Sequence, residues 1–342
     1  MVNRTISDVF EQLMANQRRL SIPGFSLQES AVARQVVFPP GDCNALQWFE
    51  AFRKRFEGAL ERHDWLPIYR AGHGEYMFAT GLREVPKMNS GTLMRHCVSR
   101  IYRIVRHQSP FYSGTPEYGY ETYKFWKLSR LRKRLREYMK MVSLEGIVCC
   151  YFSDRDAYPL WIQSQFLEWL RQGDVFLGRE NYGHTYFVYG LLHGTERNHY
   201  LAGRKVLFIS SDQERRTHEL RRRCDDIGVR EFRFAAISRS HSMLDVVKRD
   251  ETYKPDVCFV GGGVGAANVL WQLRGMRCPC VDAGFVLDTL AFPAMKRQRL
   301  YCVNDDEWEE AFGPEGPKWA AKFDDRHSQI REVRDGTWKE RR

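Results

Sequence analysis

The chain has 342 residues, of which 43% are hydrophobic and 13% aromatic; it is too rich in core-forming side chains for a disordered protein and long enough for one large α/β unit with additions or two closely joined domains. Lys and Arg number 53 against 43 Asp and Glu, a formal net charge of +10, which favours anionic partners such as nucleotides, acidic glycans or lipid headgroups. No paired Cys/His finger or aromatic RNA-binding signature accompanies that charge, so nucleic acid is disfavoured.

Residues 1–40 read as an N-terminal extension. Asp42 is placed to cap a helix from Asn44 to Arg62, in which Leu46, Phe49, Phe52, Phe56 and Leu60 recur at helical spacing. A short strand, Leu66 to Tyr69, then runs into Arg70-Ala71-Gly72-His73-Gly74-Glu75, where two glycines predict a tight turn at a strand end. Helical patterns follow from Leu93 to His107 and from Glu121 to Met141, the second with Leu128, Leu131, Leu135 and Met139 on one side. Its other side is basic. It would suit an acidic glycan or peripheral contact with a membrane surface, but such a run is more often a solvated face.

Gly146 to Phe152 reads as a buried strand and Leu160 to Leu170 as a helix. Tyr182, His184, Tyr186, Phe187 and Tyr189 form an aromatic segment that core packing explains more simply than sugar stacking. From residue 200 onward the α/β alternation is plain: strand Val206 to Ile209, helix Glu214 to Ile227, strand Phe232 to Phe234, a short helix near Met243 to Arg249, strand Asp256 to Val260, a helix ending near Gly275, and strand Cys280 to Asp282. The fold class expected is α/β, a doubly wound, mostly parallel Rossmann-like sheet with helices on both faces, plus helical N-terminal and middle additions. Residues 41–290 form the expected domain, 200–290 its nucleotide-binding half, and 291–342 a polar tail.

Nine scattered cysteines lack the spacing of a disulfide framework, and Cys278-Pro279-Cys280 has neither the redox CxxC spacing nor a second pair to complete a zinc site. They are expected as reduced structural thiols. The first residues carry charges throughout and no stretch approaches ~20 apolar residues, so a cytoplasmic location is expected.

Gly261-Gly262-Gly263-Val264-Gly265-Ala266 lies between an apolar strand and an amphipathic helix. In that context glycines let the backbone approach an anion, and a helix start aims amides and dipole at it; Gly262, Gly263, Gly265 and Ala266 are the candidate phosphate contacts. The plainer reading is a tight turn and close helix-to-sheet packing. No Gly-Lys-Ser/Thr follows, which disfavours a P-loop enzyme. Ser211 and Asp212, at another strand end, are candidate nucleotide contacts or helix caps. His73 and Glu75 are a candidate metal-ligand pair; against this stands a surface turn in which Glu75 pairs with Arg70.

Taken together, these segments resemble the GT-D-fold glycosyltransferases. That family has a strand leading into Arg-Phe-Gly-Asp-Gly-Glu, matched here by Arg70 to Glu75. Its second signature is a buried strand, a Gly/Ala-rich turn, a helix, and a strand into Asp-Ile-Gly-His, matched by Asp256 to Ala267 and Asp282-Ala283-Gly284-Phe285. The resemblance covers roughly residues 44–288. It implies transfer of sugar from a nucleotide-sugar donor, UDP-sugar foremost, to a glycan or other hydroxyl acceptor, with Mn²⁺ or Mg²⁺ held by His73 and Glu75. Arg70, Gly72 and Gly74 would contribute to donor binding, and Glu75, Asp282 and Asp288 are the catalytic candidates. Two positions depart from the family: His73 stands for the first acid and Phe285 for the histidine, and phenylalanine neither ligates nor transfers protons. A noncatalytic nucleotide-binding scaffold and a Rossmann-like methyltransferase are the competing readings.

Overall fold

The computed structural model describes residues 45–292 except 81–97, 99–100, 102–104, 106–126, 151–159, 176, 179, 195, 212–213 and 238–242; the side chains of Ala45, Leu46, His73, Met77, residues 160–165 and Tyr186 also lie outside it. The expected N-terminal extension, the Asp42 cap, Asp212, the polar tail and nearly all of the 93–107 helix therefore fall outside the described residues.

Among the described residues seven strands form one sheet: β1 (Leu66–Ala71), β2 (Ile147–Cys150), β3 (Tyr182–His184), β4 (Lys205–Ser211), β5 (Glu231–Ile237), β6 (Val257–Gly261) and β7 (Pro279–Asp282). Their order is β3-β2-β1-β7-β6-β4-β5, and every pairing is parallel. The central strands are short and apolar because parallel strands buried on both faces need no polar side; Val257, Cys258, Phe259 and Val260 are all sealed from solvent.

Two layers of helices cover the sheet, as the sequence predicts. One face carries α2 (His73–Thr80), α3 (Leu128–Glu145), α4 (Leu160–Arg171) and, after a single 3₁₀ turn at Gly263–Gly265, α8 (Ala266–Gln272). The other carries α1 (Ala45–Arg62), α5 (Thr185–His193), α6 (Arg197–Leu201), α7 (Glu214–Ile227) and α9 (Val286–Ala291). α3 buries Leu128, Leu131, Leu135 and Met139, the predicted stripe. Part of its basic side is engaged within the molecule: Arg132 lies over the Phe78 ring and Arg136 over Trp169. Most of the aromatic segment packs inward, with Phe187 against Trp48, Phe49 and Phe52 of α1 and Tyr182 and His184 against Trp48, whereas Tyr189 meets Arg70.

Two local expectations fail. The glycines at 72 and 74 do not make a tight turn: neither has positive φ, and β1 runs almost directly into α2, whose first turn Glu75 supports by accepting the Gly72 N–H at 2.8 Å. Residues 243–250 are irregular rather than helical. α8 claims their backbone: Gln272 accepts the Val247 N–H, while Gln272 and Asn268 both donate to the Asp245 carbonyl. Six cysteines, at 149, 150, 224, 258, 278 and 280, are buried free thiols. No described helix is long and apolar enough to cross a membrane.

Candidate functional site

All seven strands point the same way, so their carboxyl ends share one edge of the sheet, where open α/β folds bind ligands. β1 and β7 are neighbours there. The backbone N–H of Arg70 donates to Asp282 Oδ2 at 3.2 Å, tying the end of one strand to the acidic side chain of the other. The Arg70 guanidinium donates to the Tyr189 hydroxyl at 3.3 Å. It also lies against Gly284, where a Cβ would collide with it. Gly284 has φ +48, a conformation that glycine adopts without strain, and its N–H together with that of Ala283 donates to the Val260 carbonyl. The turn after β7 is thereby fixed to β6.

Two carboxyl groups face this guanidinium. Asp282 is 2% exposed, and its Oδ1 is buried without a hydrogen-bond partner. Burial raises its pKa to about 7, with the Arg70 charge opposing and the Glu75 charge adding to the rise. Glu75 is also held above the usual carboxylate range by burial, again opposed by Arg70. Tyr69 completes the cluster: its buried hydroxyl has no partner, and burial, then Glu75 and Asp282, push its pKa well up.

A second polar group lies at the ends of β4 and β6. Arg216, on the first turn of α7, donates to Ser210 Oγ at 3.0 Å and Ser211 Oγ at 3.1 Å and forms an ion pair with Asp288 of α9 at 2.7 Å. The Ser210 hydroxyl donates to the Gly261 carbonyl. Asp288 thus stands apart from the β1/β7 cluster as the counter-charge of a clamp joining α7, α9 and β4. Ser211 is held by the same clamp.

The glycine-rich turn has a local explanation. A Cβ at Gly261 would press on Ser210 Oγ at 2.8 Å, and one at Gly262 on the Ala266 backbone at 3.0 Å. The amides of Gly265 and Ala266 donate to the carbonyls of Gly262 and Gly263. Close packing favours glycine at 261 and 262 whether or not an anion binds.

The divalent cation implied by the resemblance does not fit these residues. Positions 73 and 75 are two apart on a helix, where positions so spaced do not share a face. Glu75 Oε2 is committed to the Gly72 N–H, and a guanidinium already faces both carboxyl groups. Among the described residues no three His, Cys, Asp or Glu side chains come together to hold a metal.

Sequence reasoning selected Arg70, Glu75 and Asp282, which the fold brings together, and missed Tyr69 and Arg216; Tyr189 was named within the aromatic segment, but its pairing with Arg70 was not. Tyr69 read as one more apolar strand residue, and Arg216 as one of several charges on α7. No family model, no curated protein and no solved structure matches this chain.

Proposed function

We propose that the chain is a glycosyltransferase that takes sugar from a nucleoside-diphosphate donor. One observation carries the reading: Arg70 and Glu75 of the first signature and Asp282 of the second, more than two hundred residues apart in sequence, meet at the carboxyl ends of adjoining parallel strands. A turn that served packing alone would not require three ionisable groups at one strand junction.

Transfer breaks the bond between the anomeric carbon and the diphosphate oxygen and forms one to an acceptor hydroxyl, so the site must take up charge on the departing phosphate and a proton from the acceptor. The Arg70 guanidinium, held by Tyr189 and Gly284, supplies the positive charge. Asp282 Oδ1 is the proton acceptor: it is free of other hydrogen bonds, and its pKa of about 7 lies near the neutral range, where a general base works best. The acidic side chain of Glu75 orders the β1–α2 junction through the Gly72 amide. Phe285 leaves the proton transfer to Asp282.

The test is calorimetric titration of UDP-, GDP- and ADP-sugars into the folded protein, followed by donor turnover. One donor should bind saturably, and Asp282→Asn should retain that binding while turnover falls about 10²-fold or more. A folded protein that binds no donor would favour the noncatalytic scaffold, and binding of S-adenosylmethionine instead would favour the methyltransferase.

A further inference from the structure

We infer that the charge facing the donor diphosphate at this site is the Arg70 guanidinium, and that nucleotide binding here is independent of a divalent cation. The inference rests on the transferase reading above and concerns how that site handles its anionic ligand.

Charge and ligand number both argue for it. Mg²⁺ or Mn²⁺ bound between protein carboxylates and a diphosphate needs about six oxygen ligands, with the protein providing one or two uncommitted carboxylates. Here each of the two carboxyl groups already spends one oxygen on a backbone amide, Asp282 on the Arg70 N–H and Glu75 on the Gly72 N–H, so neither is left to chelate a cation with both oxygens. Position 73 carries an imidazole where the resembled signature has an acid, which removes one negative charge from the motif.

The cation needed for a diphosphate is already built in. Arg70 begins at the end of β1, has its backbone tied to Asp282, and directs its guanidinium to Tyr189 and the bare face of Gly284. A side chain at position 284 would displace it, so the turn after β7 is shaped around this cation. A guanidinium so placed offers a planar fork of donors that matches phosphate oxygens. A dication beside it would meet like-charge repulsion across a few ångströms of partly buried space.

The experiment uses UDP and Mn²⁺ as probes of the full chain. UDP is titrated in EDTA and again in Mn²⁺, and Mn²⁺ alone is titrated while the electron paramagnetic resonance of the free ion is followed. The expected result is UDP affinity that differs by less than about threefold between EDTA and Mn²⁺, with no saturable binding of Mn²⁺ alone. Arg70→Gln should weaken UDP by about tenfold or more in both conditions, and Arg70→Lys by less, because it keeps the charge and loses the fork. An affinity that rises about tenfold or more with Mn²⁺, or saturable Mn²⁺ binding by the protein alone, would overturn the inference and leave the transferase standing. Absence of binding by UDP and by the nucleoside diphosphate of every other donor in the panel, to the folded wild-type chain in both conditions, would overturn both. The wild-type arms decide the matter even where Arg70→Gln does not fold.

Discussion

Asp282 ends a central strand in surroundings that favour its neutral form, and this has a sign that can be measured. Its pKa rises from 3.8 to about 7, burial being the main cause, so between those values the folded chain holds a proton that the unfolded chain has released. Stability contributed by the protonated group is complete below pH 3.8 and is lost as pH climbs through about 7. Glu75 shifts in the same direction and adds to the slope. In urea unfolding across this range, Asp282→Asn should lose less stability than wild type as pH rises. The two proteins should converge at acidic pH and differ by up to a few kcal/mol above neutrality. Parallel curves would mean that the Asp282 carboxyl is not desolvated in solution. The same side chain thus carries a folding cost and the proposed proton transfer, a common pairing at functional sites.

At the level of elements, α9 is held by the clamp of Arg216 and Asp288, whose side chains are only 12% and 24% exposed. Removing one partner strands the other in a partly buried position. Asp288→Ala should therefore cost roughly 1–3 kcal/mol, less than a fully buried pair because solvent still reaches it. Joint replacement by Arg216→Met and Asp288→Leu should recover most of that loss, read as urea midpoints at constant slope. A neutral single variant would show that the pair contributes nothing. Ser211 and Asp288 were singled out separately, but their union in this clamp was not legible in the sequence, because Asp288 lies far along the chain from 210, 211 and 216. The strands were legible: a continuous apolar run such as Val257 to Val260 has few other uses. α2 was hidden by Gly72 and Gly74, which read as turn residues although neither takes positive φ. The short helix expected near 243–249 lost to side chains of α8 that take its backbone groups. Strand order was equally out of reach, since buried parallel strands resemble one another in composition.

For the whole molecule, the decisive element is the last of the described strands. β7 is four residues long and stands between β1 and β6. Without it the sheet separates into β3-β2-β1 and β6-β4-β5, each with an apolar edge that has lost its ladder. A chain ending at Gly275 should therefore aggregate and bind a hydrophobic dye, whereas the full chain should sediment as a folded species; a soluble, native-like truncation at 275 would show that the halves fold alone. The second half of the proposed site is also absent until that point, because Asp282 ends β7 and Gly284 follows it. On the ribosome, β1 is made early and its second neighbour only after residue 279 has emerged. At about 5–20 residues per second, the central edge stays open for roughly 10 to 40 seconds in every round of synthesis. The strand that completes the sheet is therefore also the one that ends the nascent chain's exposure to chaperones and to neighbouring chains on the same message.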